Sequence, residues 1–226
     1  LSGSEIVVVN FLENSESGRV TLSGHVKVTG IRSVGVYDNV KDLIGSVKNL
    51  KADPYLFFAV IERTDELTQV RKLIPFNLQK VLFGGENVSL IDEDNVIVFA
   101  ADDVKFLSSR DVKRSILGFP SQSSCLSVNH LTQVIQTSSN QRFNIASRAF
   151  ENERSPLGER KLDDELPLTD PKELTLVVAG AEIDEFDTVC RPIYEATENL
   201  LELTLENVSH ISGAVRYPSI YPVADD

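Results

Sequence analysis

The chain has 226 residues, 42% of them apolar and 25% charged, and a formal net charge of −12 at pH 7. That balance is the one expected of a soluble globular protein in one large domain or two small ones, and the chain is long enough to bury a substantial core. Its longest apolar runs, such as 56–61 and 96–101, are far too short to span a bilayer, and its acidity with scattered basic residues argues against direct nucleic-acid binding, which needs clustered Lys and Arg.

The acidity is confined to one region. Residues 163–226 hold fifteen acidic and three basic side chains, a net −12, whereas residues 1–162 hold nineteen of each and balance to zero. Such an asymmetry concerns partners rather than chemistry. The chain lacks methionine, so Leu1 is expected to follow a processing or truncation point.

In chain order, the β-branched run 5–11 predicts a buried strand. Val20 and Leu22 alternate with polar neighbours, as do Val26 and Val28, across Ser23-Gly24. This reads as a hairpin or as one strand with a glycine bulge. Residues 31–37 read as a further strand. A helix capped by Asp38 is expected next, because Val40, Leu43, Ile44, Val47 and Leu50 form one apolar stripe ended by Asp53-Pro54. Residues 55–62 are the most apolar strand.

Thr64 is expected to cap another helix, with Leu67, Val70, Leu73 and Ile74 on its inner face. A short helical turn over 76–83 closes at Gly84-Gly85. Residues 87–91 and 95–101 flank the turn Asp92-Glu93-Asp94-Asn95 and read as a hairpin.

Ser108-x-x-Asp111 resembles a capping box opening a helix to Leu117, and Gly118 follows it. Val128, Leu131, Val134 and Ile135 predict a helix, and 141–147 alternates as a strand would. Segment 151–172 has eleven charged residues and three prolines, too little apolar surface to order itself alone. It is the expected boundary between a main domain, 1–150, and a strand-helix-strand segment, 173–226. A buried strand over 174–180, a helix from Pro192 and an alternating strand at Leu201, Leu203 and Leu205 follow, and the tail is too rich in proline for regular structure. The pattern predicts an α+β fold with a mixed or mainly antiparallel sheet and several short helices; a doubly wound α/β sheet is the alternative.

No motif announces a reaction. Paired-histidine, Cys-x-x-Cys, Gly-x-Ser-x-Gly and phosphate-loop patterns are missing. His25, His130 and His210 read as surface or hydrogen-bonded residues. Cys125 and Cys190 lie far apart in sequence and read as two buried thiols rather than a disulfide. Asp92-Glu93-Asp94-Asn95 offers oxygens at alternate turn positions that could hold a hard cation, but it lacks the glycine and distal glutamate of a calcium loop and otherwise reads as a solvated hairpin turn. Asp102-Asp103 follows a buried strand, a place where carboxylates serve catalysis or cap a helix. Glu182, Asp184, Glu185 and Asp187 form the densest acidic cluster and are the expected contact for a protein partner or a cation. The sequons at Asn87 and Asn207 are short enough to arise by chance.

These features predict a non-enzymatic structural or assembly subunit of a larger oligomer, for example a virion capsid or tail component, without catalytic residues, resident metal or cofactor. Two alternatives remain: a metal- or phosphate-dependent enzyme using Asp102 and Asp103, and a secreted or surface binding domain.

Overall fold

A computed structural model describes residues 18–121, 123–137, 140–154, 189–215 and 219–224. The expected strands at 5–11 and 174–180 and most of the linker lie outside them. The chain forms two compact units, Leu1–Val104 with Pro222–Asp226 (unit 1) and Lys105–Tyr221 (unit 2). The fold is α+β, with one mixed five-stranded sheet and one two-stranded sheet.

Unit 1 is built on strands β1 (Arg19–Gly24), β2 (Gly30–Ser33), β3 (Pro54–Thr64), β4 (Arg71–Phe76) and β5 (Asn95–Ala100), in the order β2-β1-β5-β3-β4. β1 and β5 are parallel; the other neighbours are antiparallel. β3 and β5 lie inside the sheet, and Phe58–Ile61 and Val96–Ala100 are buried without a break. Burial on both faces is why they read as continuous apolar runs. β1 alternates instead, with Val20 and Leu22 inward. Gly24 ends it at φ +80, and a Cβ there would stand 2.1 Å from the Val98 carbonyl oxygen, so only glycine permits this approach to β5.

Helix α1 (Val40–Ile44) is shorter than the apolar stripe suggests. Its cap is Asn39, which accepts the Asp42 N–H, and Gly45 at φ +76 ends it. A 3-10 turn, Val47–Asn49, follows, and Leu50 is buried beside Val26. Residues 80–84 form a π-turn capped by left-handed Gly85, as the Gly84-Gly85 pair predicts.

Two expectations in unit 1 are overturned. Residues 65–74 are a tight turn and strand β4, because Asp65 accepts the backbone N–H of Leu67 and Thr68 and Gln69 takes φ +56, which returns the chain along β3. Leu67, placed on the inner face of a helix by its spacing, is 96% exposed. Residues 87–91 make only an isolated bridge, Ser89 to Asn39, while β5 pairs with β1 and β3. The turn between them is real, but the hairpin is not.

Unit 2 begins within helix α2 (Ala101–Phe106) and continues as α3 (Arg110–Ile116), α4 (Leu126–Thr137), α5 (Asn144–Arg154), α6 (Pro192–Ala196) and α7 (Leu200–Glu206). Ser109 caps α3 through the Val112 N–H. Its core includes Leu107, Val112, Ile116, Val128, Leu131 and Leu201, each at most 1% exposed. Ser115 and Thr132 share a buried hydroxyl hydrogen bond of 2.8 Å between α3 and α4.

Three further expectations give way here. Residues 141–147 are helical, with Phe143, Ala146, Ala149 and Phe150 turned inward at helical spacing. Residues 200–206 are helix α7, not a strand, and bury Leu200, Leu201 and Leu205 together with Glu202. The tail forms β7 (Ser219–Pro222), paired with β6 (Val208–Ile211). A short terminal strand of this kind tolerates Pro222 because it needs few ladder bonds.

Candidate functional site

In unit 2 the structure joins Cys125 to Cys190 in a disulfide, with the Cα atoms 5.4 Å apart, well within bridging distance. The expectation of two free thiols is therefore corrected. Cys125 sits where the chain turns into α4, Cys190 just before Pro192 opens α6, and 65 residues separate them in sequence. Beside the bridge, Glu195 of α6 reaches the start of α4. Its Oε1 accepts the Ser127 N–H at 3.0 Å and the Ser127 hydroxyl at 2.7 Å, and its Oε2 accepts the Leu126 N–H at 3.3 Å. These are the orphan donors of a helix start, satisfied here by a side chain distant in sequence. Burial pushes the Glu195 carboxyl up, but the hydrogen bonds from Ser127 and Leu126 outweigh it and hold it below its ordinary value.

The two sulfurs and a Glu195 oxygen lie within 4.8 Å of one another, the one such cluster of metal-ligating groups among the described residues. A metal would need thiolates. The disulfide uses both sulfurs and the helix start uses the carboxylate, so the cluster is a structural clasp.

The carboxylates singled out in the sequence are likewise engaged. Asp94 is fully buried; its two oxygens accept from Arg63 Nε at 2.9 Å and Nη2 at 2.7 Å, and the Ile91 N–H adds a third bond. The hydrogen bonds to Asp94 raise the Arg63 pKa, against the opposing effect of its partial burial. Asp92 accepts the backbone N–H of Arg19 and Glu93. The 92–95 loop therefore turns the Asp92 and Asp94 carboxylates onto protein donors. Asp103, 6% exposed, accepts the Ala100 N–H at 2.8 Å and caps α2. Asp102 sits beside it in the first turn of α2. Glu202, 4% exposed, accepts from His130 Nδ1 at 2.9 Å. His25 Nε2 bonds the Ala52 carbonyl, and His210 is exposed on β6. Glu182, Asp184, Glu185 and Asp187 lie outside the described residues.

No family model, curated protein or solved structure matches the chain. No helix among the described residues is long and apolar enough to cross a membrane. Two features had no signal in the sequence. One is the Cys125–Cys190–Glu195 clasp, whose two cysteines lie 65 residues apart in sequence. The other is a cleft of about 300 Å³ in unit 1, whose lining includes Leu22, Lys27, Arg32 and Leu43. Each lining residue is unremarkable in its local pattern, and only the packing of β1, β2 and α1 gathers them.

Proposed function

We propose that the chain is a non-enzymatic subunit of a larger protein assembly, of which a virion capsid or tail is one example, and that its acidic C-terminal third supplies the docking charge. One observation carries this reading: the three buried carboxylates among the described residues, Asp94, Asp103 and Glu202, are spent on Arg63, on a helix start and on His130. A metal- or phosphate-dependent enzyme needs carboxylates that converge on an open position. These hold the fold instead.

The net −12 of residues 163–226 suits a basic protein partner. Charge of one sign speeds encounter and fixes orientation, and its effect fades with salt because the screening length is about 8 Å at physiological ionic strength. It also opposes direct contact with nucleic acid. The test is assembly followed against ionic strength, in the native chain and in a variant with Lys at Glu182, Asp184, Glu185 and Asp187. Docking predicts that salt and charge reversal each weaken assembly. Assembly that withstands both rejects a docking role for the acidic segment.

A second reading, a secreted or surface binding domain, is favoured by the disulfide, since such bridges persist in oxidising compartments. Asn87 of the first sequon is exposed in a loop, whereas Asn207 donates its amide to the Leu203 carbonyl. Passage through a secretory pathway predicts glycan on Asn87 ahead of Asn207, read as a mass loss with a peptide N-glycosidase. A protein made in secreting cells without glycan at Asn87, and with free thiols, rejects this reading.

A further inference from the structure

The cleft in unit 1 has a greasy floor and a charged rim. Leu22, Val26, Leu43 and Ile44 line it and are each at most 5% exposed. Lys27, Arg32 and Asp42 also line it, two cations against one carboxylate. Neither cation has an acidic partner among the described residues. Lys27 Nζ donates to the Lys48 carbonyl at 2.6 Å, and Arg32 Nη2 to the Val28 carbonyl at 3.2 Å. Asp42 is engaged elsewhere; its Oδ2 accepts from Asn39 Nδ2 at 2.7 Å at the start of α1. Most telling, Arg32 Nε is shut off from solvent and has no acceptor. A buried donor without an acceptor costs free energy, and the cost is greater on a charged group.

We propose that this cleft binds a small organic monocarboxylate, its hydrocarbon body on the Leu22–Val26–Leu43–Ile44 floor and its carboxylate on Arg32 and Lys27. Three physical points converge. The volume of about 300 Å³ stands at the lower end of small-molecule sites, about 300–1,000 Å³, so the ligand is small. The apolar floor disfavours a fully hydrated ion such as phosphate, which would leave polar oxygens against Leu43 and Ile44. The positive rim, next to low-dielectric walls, selects an anion, and a guanidinium edge matches a planar carboxylate. An oxygen accepting from Arg32 Nε supplies the acceptor that no protein group provides. This requires the guanidinium to turn within the cleft mouth and give up its bond to the Val28 carbonyl.

The probe is hexanoate, with 1-hexanol and hexylamine, protonated at neutral pH, as its neutral and cationic counterparts. Titrated into the isotopically labelled full chain, hexanoate is expected to move the amide signals of Val26, Leu43 and Gly45 saturably. Hexanol should bind about tenfold more weakly or worse, and hexylammonium should leave those signals unmoved. Arg32→Gln should weaken hexanoate about tenfold or more without lowering the melting temperature, and Asp42→Asn should tighten it by removing repulsion at the rim. Three results would each overturn the proposal: no saturable shift at those amides, hexylammonium binding as well as hexanoate, or wild-type affinity in Arg32→Gln. The cleft stands apart from the assembly reading, because Arg32→Gln lies outside the acidic third and its particle mass can be measured on the same sample.

Discussion

Removing the Cys125–Cys190 bridge tests how unit 2 is held together. Replacing both residues with Ala removes little volume, at the buried Cys125 and the half-buried Cys190, but frees a loop of 65 residues in the unfolded chain. In the chain-entropy account, closing such a loop removes roughly 14–15 cal/mol/K, or about 4 kcal/mol at 25 °C. Measured losses for native bridges run about 2–5 kcal/mol, against a total stability of about 5–15 kcal/mol. The Cys125→Ala/Cys190→Ala variant should therefore lose about 2–4 kcal/mol. With a urea slope of about 2–3 kcal/mol/M, its midpoint should fall by roughly 0.7–2 M. The assay is urea denaturation followed by far-ultraviolet circular dichroism on three samples: native protein, native protein with reductant, and the variant. The last two should agree with each other and differ from the first. Equal midpoints in all three, or two titratable thiols in the folded native protein, would refute the reasoning and return the cysteines to the free state read from the sequence.

Arg63→Met should cost about 3–5 kcal/mol, because it strands the fully buried Asp94; adding Asp94→Asn should recover part of the loss, and a double-mutant cycle by chemical denaturation decides, with a single-variant loss under about 1 kcal/mol contradicting the pair's role. Glu195→Gln should destabilise by about 0.5–1 kcal/mol at pH 7, the scale of an exposed helix cap. Its carboxyl is held below the ordinary value of 4.5, so its contribution is complete above that pH and is lost as pH falls through the lower folded value. The melting-temperature gap between Glu195→Gln and wild type should close as the pH falls below the ordinary carboxylate range, and a gap independent of pH would show that the charge plays no part. Val60→Asp should abolish folding, because Val60 is 0% exposed in the middle of β3 and an unpaired carboxylate there costs several kcal/mol; a variant with wild-type circular dichroism would mean β3 is not a core strand.

Much of the fold was legible where burial is uniform. β3 and β5 are covered on both faces, and their residues advertise it as unbroken apolar runs. α4 was legible because Val128, Leu131 and Ile135 stand at helical spacing and are its buried apolar residues. Failures came where the local pattern was right by accident. Leu67, Val70, Leu73 and Ile74 fit a helix, but the pairing of β4 with β3 and the Asp65 turn outweigh that spacing, as tertiary contacts commonly do with local propensity. Leu201, Leu203 and Leu205 fit a strand equally well. They became a helix because Leu200, Leu201 and Leu205 share one buried side and because Glu202 can be buried against His130, a partner 72 residues away. The clasp and the cleft were illegible for the same reason. Pairing over 65 residues and gathering of a cleft wall from β1, β2 and α1 are properties of the chain path, which no single stretch of sequence carries.

The most direct test of the assembly claim is the native mass of the protein isolated from its source, recorded at low ionic strength and again as salt is raised. The account predicts a particle well above the single-chain mass that dissociates as salt increases. A species of single-chain mass at every ionic strength would contradict it.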